Sequence, residues 1–163
     1  MSTLYVDTLE PNQNTAITAA AGKLLPAGHV VQVVQETYNT QISTSSTSYV
    51  TSNLAATITP TSSNSKVLIR VNTSAYISGG YYTRMTVYRG ATDLGSGHGG
   101  STDSLQAGST LSSAWLPSNI EWLDSPSTTS ATTYTMYYKA SGATAYMHNA
   151  YIISTMTLME IAQ

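Results

Sequence analysis

The sequence predicts an all-β fold, an antiparallel β-sandwich of the jelly-roll type with about eight strands and an extended N-terminal arm. Three observations support this fold class. Extended segments alternate apolar and polar residues with a period of two. Turns rich in Ser, Thr, Asn, Gly and Pro separate these segments. No segment predicts a long helix, and a chain of 163 residues accommodates one ordinary core.

Residues 1–28 are predicted to form an N-terminal docking arm, ahead of a β-sandwich head domain formed by residues 29–163. The first segment is too short and too poor in apolar residues to fold alone. A flexible tail is the alternative interpretation. Alternating apolar residues favour instead an arm that becomes ordered on a partner or on sister subunits. The predicted contact residues of the arm are Leu4, Tyr5, Val6, Leu9, Ile17, Leu24 and Leu25.

The head is predicted to begin with a Val-rich strand at residues 29–38. The near-continuous Val run indicates burial on both faces of that strand. Residues 49–71 then predict two strands joined by a polar turn at residues 60–65, because alternation stops at Pro60 and resumes at Lys66.

Later turns are predicted from Gly, Asn and Ser. Residues 90–93 predict a hairpin after the strand at 83–89, and Ser141-Gly142 predicts another hairpin. The Gly-rich residues 95–113 predict a long loop at one end of the sandwich. A last strand is predicted near the C-terminus, tied into the sheet.

Composition excludes several classes of function. Only 9% of the residues are charged, whereas about 25% is usual. The six Lys and Arg residues are scattered, so no nucleic-acid-binding surface is predicted. The chain has no Cys, which excludes disulfides and thiolate chemistry. No apolar run reaches the length of a membrane span, and the N-terminus lacks the pattern of a signal peptide.

No catalytic residue, metal site or cofactor is predicted, so the chain is expected not to be an enzyme. His29, His98 and His148 lack the close spacing of metal ligands, and His148 beside an Asn predicts a turn. Glu121 and Asp124 are the closest acidic pair, but on a strand they face opposite sides. Paired glycosidase carboxylates must face one bond, and Asp124 is explained by a turn.

Aromatic residues are the candidates for a binding surface. Flat rings stack on the faces of sugars, so a glycan platform is one interpretation. Tyr and Trp are also enriched at protein interfaces, so an oligomer interface or core position is the other. His98 lies in the Gly-rich loop, where it could line a binding site, so it is also a candidate ligand-binding residue. The candidate ligand or interface residues are Tyr81, Tyr82, His98, Trp115 and Tyr146.

Three segments carry a family resemblance. They are YVTSNLAATITPTSSNSKVLI at residues 49–69, WLDSPSTTSATTY at 122–134 and TMTLMEI at 155–161. They resemble a domain of structural proteins of tailed bacteriophages, especially phages of cyanobacteria and marine bacteria. The segment STLYVDTL at residues 2–9 is similar to the N-terminal pattern of fibre-like proteins in the same phages. These motifs mark strands and turns and are not catalytic.

The resemblance implies a non-enzymatic virion structural protein on the surface of the phage particle. It implies a homotrimeric appendage, either a capsid decoration (cement) protein or a short fibre. The arm is expected to dock on other virion proteins of the capsid or the tail. The alternative function is a tail-fibre tip that binds a host receptor or host glycan.

Overall fold

The structure is a computed structural model that describes residues 27–77, 81–98, 104–107 and 114–163. Eleven strands lie in these residues, and none of the described segments forms a helix long and apolar enough to cross a membrane. The strands are β1 Val30–Tyr38, β2 Ile42–Thr44, β3 Val50–Ile58, β4 Lys66–Ile77, β5 Thr83–Arg89, β6 Thr92–Asp93, β7 Gln106–Ala107, β8 Leu116–Asp124, β9 Thr132–Ala140, β10 Ala145–Met147 and β11 Ser154–Ile161.

The strands form two antiparallel sheets that pack face to face. The first sheet has the order β1-β11-β4-β10-β2, with β8 on the other edge of β4. The second sheet has the order β3-β9-β5-β6, and β7 also pairs with β5. The prediction of an all-β, antiparallel sandwich is confirmed.

Three pairs of strands lie end to end and act as single, interrupted strands. Strands β10 and β11 lie along the same edge of β4, and β1 and β2 lie along β11 and β10 in turn. Strands β6 and β7 likewise share the edge of β5 that β9 leaves free. Counting each pair as one strand gives two sheets of four, which agrees with the predicted number of about eight.

The pairing order is that of a jelly roll. The first of the eight strands pairs with the last (β1/β2 with β10/β11), and the second with the seventh (β3 with β9). The third pairs with the sixth (β4 with β8), and the fourth with the fifth (β5 with β6/β7). This is the winding of a long hairpin wrapped around a core, as jelly rolls have.

Alternating side chains fill the space between the sheets. On β4 the inward residues are Val67, Ile69 and Val71, and each is at most 1% exposed. Because the chain has no Phe, Tyr134 and Tyr138 of β9 provide the largest buried rings. The remaining fully buried large side chains of the core include Leu54, Ile58, Met85, Met136, Met147, Met156 and Leu158.

The Val-rich first strand was predicted to be buried on both faces, and this prediction is wrong. Strand β1 lies at an edge of the first sheet, and Val30 and Val33 are 51% and 56% exposed. Val favours any pleated strand because of its branched Cβ. A Val run therefore indicates a strand without indicating what covers it.

Two of the predicted turns lie in connections that cross between the sheets. The predicted turn at residues 60–65 joins β3 of the second sheet to β4 of the first. Residues 141–144 likewise join β9 to β10, so the hairpin predicted at Ser141-Gly142 is wrong. The hairpin predicted at residues 90–93 is confirmed, since β5 pairs with β6.

Candidate ligand-binding site

Three aromatic rings lie side by side on the outward face of the first sheet. Tyr76 on β4 is half-buried between the buried Ala75 and Ile77, and it faces outward because strand residues alternate. Tyr146 on β10 is its direct cross-strand partner, with ring centres 5.5 Å apart. Trp115, next to the start of β8, lies 5.8 Å from Tyr76 on the other side. We call these three residues the aromatic row.

The aromatic row borders a pocket of about 150 Å³, and Gln41 completes its lining. Gln41 lies just before β2, two residues from Ser43, which is the cross-strand partner of Tyr146. None of the four lining residues is charged. Trp115 also borders a second cavity of about 200 Å³, whose other lining residues are Thr73, Ser74, Leu116, Pro117 and Ile152.

The structure thus places Trp115 and Tyr146, two of the candidates from the sequence, in one site. Sequence reasoning missed Tyr76 and Gln41. The signal for Tyr76 was its position in β4, where every second residue from Leu68 faces outward. What the sequence does not show is the register that puts Tyr76 opposite Tyr146.

The other three candidates lie outside these two cavities. Tyr81 and Tyr82 are each 43% exposed, and the Tyr81 ring covers the position that a Cβ on Gly142 would occupy. The Tyr82 amide donates to the Ser141 hydroxyl at 2.7 Å. His98 is exposed and contacts Trp122 edge-on, with ring centres 4.9 Å apart.

His148 was predicted only as a turn residue, but it is fully buried. It follows β10 with a φ of 58°, and its Nε2–H donates to the Ser52 carbonyl at 3.0 Å. That carbonyl belongs to β3, so the hydrogen bond joins the two sheets. The other ring nitrogen, Nδ1, lies 2.8 Å from the Ser154 hydroxyl. Burial lowers the pKa of His148, and the hydrogen bond to Ser52 only partly opposes this.

Asp124 was explained as a turn residue, and its side chain instead forms a second link between the sheets. It lies at the end of β8, and both of its carboxylate oxygens accept from Arg89 Nη1 at 2.8 Å. The hydroxyl of Tyr134, a fully buried residue, donates to Asp124 Oδ2 at 2.7 Å. Burial, and then this hydrogen bond, raise the pKa of Tyr134.

Glu160 joins β11 to the turn between β3 and β4. This buried β11 carboxylate accepts from the Thr61 amide at 2.8 Å and from the Thr61 hydroxyl at 2.7 Å. The Gln32 amide donates to its other oxygen at 2.7 Å. Burial raises the pKa of Glu160, but the hydrogen bonds from Gln32, Ser65 and Thr61 outweigh it, so the net pKa lies below the usual value.

Glu121 and Asp124 do lie on opposite faces of β8, as predicted: Glu121 is exposed and pairs with Arg70 at 3.1 Å, whereas Asp124 is buried. Within the described segments, no three side chains of His, Asp or Glu are grouped as metal ligands. The predicted arm residues, from Leu4 to Leu25, lie outside the described residues, as does much of the loop at 95–113.

Comparisons with known proteins give a likeness in fold alone. No protein-family model and no curated protein sequence matches the chain. A solved structure of the infectious bursal disease virus VP2 subviral particle is similar, with a TM-score of 0.45 and 11% identity over 91% of this chain and 44% of that one. Derived T=1 particles of the same virus give a TM-score of 0.45 and 9% identity, over 91% of this chain and 42% of that one.

The chain thus spans less than half the length of these two viral chains. With TM-scores below 0.5, the likeness does not extend to function. The resemblance to structural proteins of tailed bacteriophages therefore stays a prediction from the sequence.

Proposed function

We propose that the chain is a non-enzymatic virion structural protein, a homotrimeric surface appendage of a tailed phage. It acts as a capsid decoration (cement) protein or a short fibre, with residues 1–28 docked on the particle and the sandwich outside. The three sequence segments that resemble phage structural proteins support this proposal. The observation that carries it furthest is an exposed apolar surface on the first sheet.

This surface is a continuous row of apolar side chains across the outward face. Val33 pairs with Met159, Met159 with Leu68, and Leu68 with Leu123, so the row crosses β1, β11, β4 and β8. We call these four residues the apolar row. Val33 is 56% exposed and Leu123 48% exposed. A contiguous apolar surface of this kind is typical of an interaction site.

Two of the charged groups beside the apolar row form an ion pair. Arg70 and Glu121 form the next cross-strand pair toward the aromatic row, with the guanidinium and carboxylate 3.1 Å apart. This side of the row therefore adds no net charge, and Lys66 adds one positive charge on the other side. An apolar surface with few charges around it favours another copy of this chain, because only 9% of the residues of the chain are charged.

A second exposed apolar segment supports a ring of copies. Tyr151, Ile152 and Ile153 are 97%, 51% and 62% exposed. They lie between β10 and β11, on the side of Ser74, which is six residues from Leu68 along β4 and so about 20 Å from the apolar row. In a cyclic trimer each contact joins two different surfaces. We propose that the apolar row of one copy packs on the segment Tyr151, Ile152, Ile153 of the next.

A charge placed in the apolar row tests this interface. Leu123→Lys is expected to weaken self-association by about 100-fold, because the ammonium must be desolvated without a partner. Sedimentation equilibrium measures the association constant. Asn119→Lys is the control, since Asn119 lies on the same strand and the same exposed face but outside the row. Equal association of both variants and the unmodified chain contradicts the proposed interface.

Removal of the arm tests docking separately. A chain that begins at residue 29 is expected to remain folded, because the eleven strands of the described residues all begin at or after Val30. It is also expected to be absent from purified particles when it is supplied in place of the whole chain. Circular dichroism and thermal melting establish the fold, and gel analysis of the particles measures incorporation. Incorporation at the level of the whole chain contradicts the docking role.

The alternative function, a tail-fibre tip that binds a host receptor or glycan, is favoured by one observation. The aromatic row borders a pocket that could receive part of a ligand. This pocket lies on the same outward face as the apolar row, so one protein can carry both a ligand site and an assembly surface.

A further inference from the structure

We propose that the aromatic row and Gln41 form a binding site for a single neutral pyranose ring of a glycan. This inference deepens the alternative function stated above by naming the class of ligand, and it does not depend on the assembly role. It rests on the geometry of the rings, the size of the pocket and the chemistry of its lining.

The three rings form an angled apolar wall, with Tyr146 at 66° and Trp115 at 40° to the Tyr76 ring. Their centres are 5.5 Å (Tyr76 to Tyr146) and 5.8 Å (Tyr76 to Trp115) apart, within the range of direct ring contacts. One face of a pyranose presents C–H bonds of slight positive charge. These suit the electron-rich faces of aromatic rings for the reason that edge-to-face ring pairs are favourable. The wall is built on β4 and β10, whose ladder hydrogen bonds hold the two tyrosines in register.

The size of the pocket limits the ligand. Pockets for drug-sized ligands are usually about 300–1,000 Å³. The volume here is about 150 Å³, so the site holds one ring of a glycan and leaves the neighbouring rings in solvent.

The lining selects a neutral ligand. Gln41 offers two N–H donors and one carbonyl acceptor, and the tyrosine hydroxyls and the indole N–H add further polar groups. A sugar hydroxyl, which is both donor and acceptor, matches this set. None of the four lining residues carries a charge, whereas acidic sugars and phosphates are bound by Arg or Lys.

The shape of the site favours a sugar over a protein partner. The three rings are half-buried around a pocket, whereas Tyr151, Ile152 and Ile153 protrude and are more than half exposed. Anchors of a protein interface are side chains that enter a pocket on the partner. Half-buried rings that border an open pocket are instead arranged to receive a small group.

A glycan array of neutral and acidic glycans, followed by NMR titration of hits at millimolar concentration, tests the site. The unmodified chain is expected to bind neutral glycans that present an accessible pyranose. Trp115→Ala and Tyr146→Ala are each expected to weaken this binding about tenfold or more. Trp115→Phe keeps a ring and is expected to stay within about threefold of the unmodified chain. Tyr82→Ala is the control, because Tyr82 is exposed but does not line the pocket.

Several results would overturn the proposal. They are the absence of binding to every neutral glycan, binding of acidic glycans alone, and equal binding by the Tyr146→Ala variant and the unmodified chain. A change in solution mass in Trp115→Ala, without any glycan binding by the unmodified chain, would assign the aromatic row to a subunit interface. Thermal melts of all variants, and the Trp115→Phe result, separate loss of the site from loss of the fold. If the glycan-binding proposal fails, the assembly role is still tested separately by the Leu123→Lys and arm-deletion experiments.

Discussion

Replacing Asp124 with alanine is expected to lower the free energy of unfolding by about 3 kcal/mol, the lower end of the usual cost of breaking a buried ion pair. Asp124 is 7% exposed, and it accepts from Arg89 and Tyr134 of the opposite sheet. Its removal leaves the buried Tyr134 hydroxyl unpaired. It also leaves the partly buried Arg89 guanidinium without its counter-charge. The buried Tyr134 hydroxyl cannot regain water, and the Arg89 side chain, 28% exposed, regains it only in part.

Glu121→Ala is the matched control, three residues earlier on the same strand. Its ion pair with Arg70 is exposed, with side-chain exposures of 64% for Glu121 and 52% for Arg70. Such pairs contribute little, so a loss of about 0.5 kcal/mol is expected. Urea unfolding at pH 7 and one fixed protein concentration measures both variants. Losses that agree within about 0.5 kcal/mol would show that Asp124 is not a structural link between the sheets.

Acidification below about pH 6.5, the usual pKa of His, is expected to destabilise the protein through His148. Burial lowers the pKa of His148 in the folded state, so the unfolded chain binds the proton more readily. The contribution of the neutral, buried His148 to the free energy of unfolding is therefore fully present above pH 6.5. It is lost as the pH falls from 6.5 toward the lowered pKa of the folded state. One proton gives a slope of at most about 1.4 kcal/mol per pH unit.

The His148→Asn variant isolates this contribution. Asn tolerates the positive φ of 58° at this position, although it cannot titrate. The variant is expected to be less stable at pH 7.5, because the hydrogen bonds of His148 to Ser52 and Ser154 are weakened or lost. Its stability should then change much less than that of the unmodified chain between pH 7.5 and 5. Urea unfolding at several pH values measures the slope, and equal slopes would contradict the assignment.

Glu160 titrates at a lower pH than His148, so it does not affect the pH dependence of stability measured between pH 7.5 and 5. Its pKa lies below the usual value because the hydrogen bonds from Gln32, Ser65 and Thr61 outweigh the effect of burial. Its contribution is present above the usual carboxyl pKa of about 4.3 and is lost only as the pH falls below that value. Measurements kept at pH 5 and above therefore report mainly on His148.

The fold class followed from local alternation, whereas the connections did not. Strands β3 and β4 were visible because Leu54 and Ile58, then Val67 and Ile69, recur at even spacing. The turn after β9 contains Ser141 and Gly142 and has the chemistry of a hairpin, yet it leads into the other sheet. Turn residues specify a change of direction, and the packing of distant strands decides which sheet receives the next strand.

The candidate site was predicted in part. Trp115 and Tyr146 stood out as aromatic residues beside loops, but so did Tyr81 and Tyr82, which line neither cavity. Only the register between β4 and β10 brings Tyr76 to Tyr146. Register is a property of paired strands and is not visible in either strand alone.

The buried links between the sheets were not predicted. Asp124 and His148 each stand where a strand ends, next to Ser125 and Asn149, and this local pattern is typical of a turn. A polar residue at a strand end can also point inward and form a hydrogen bond with a residue of the facing sheet, and its local sequence is then the same as that of a turn. Ser52 of β3 and Arg89 of β5 are those partners, and they lie 96 and 35 residues away in the chain.

The mass of the unmodified chain in solution is the most direct test of the proposed assembly. Multi-angle light scattering, at several protein concentrations and about 0.1 M salt, is expected to give three times the chain mass of 17.3 kDa. A mass of 17.3 kDa at every concentration would contradict self-association through the apolar row and the homotrimer built on it.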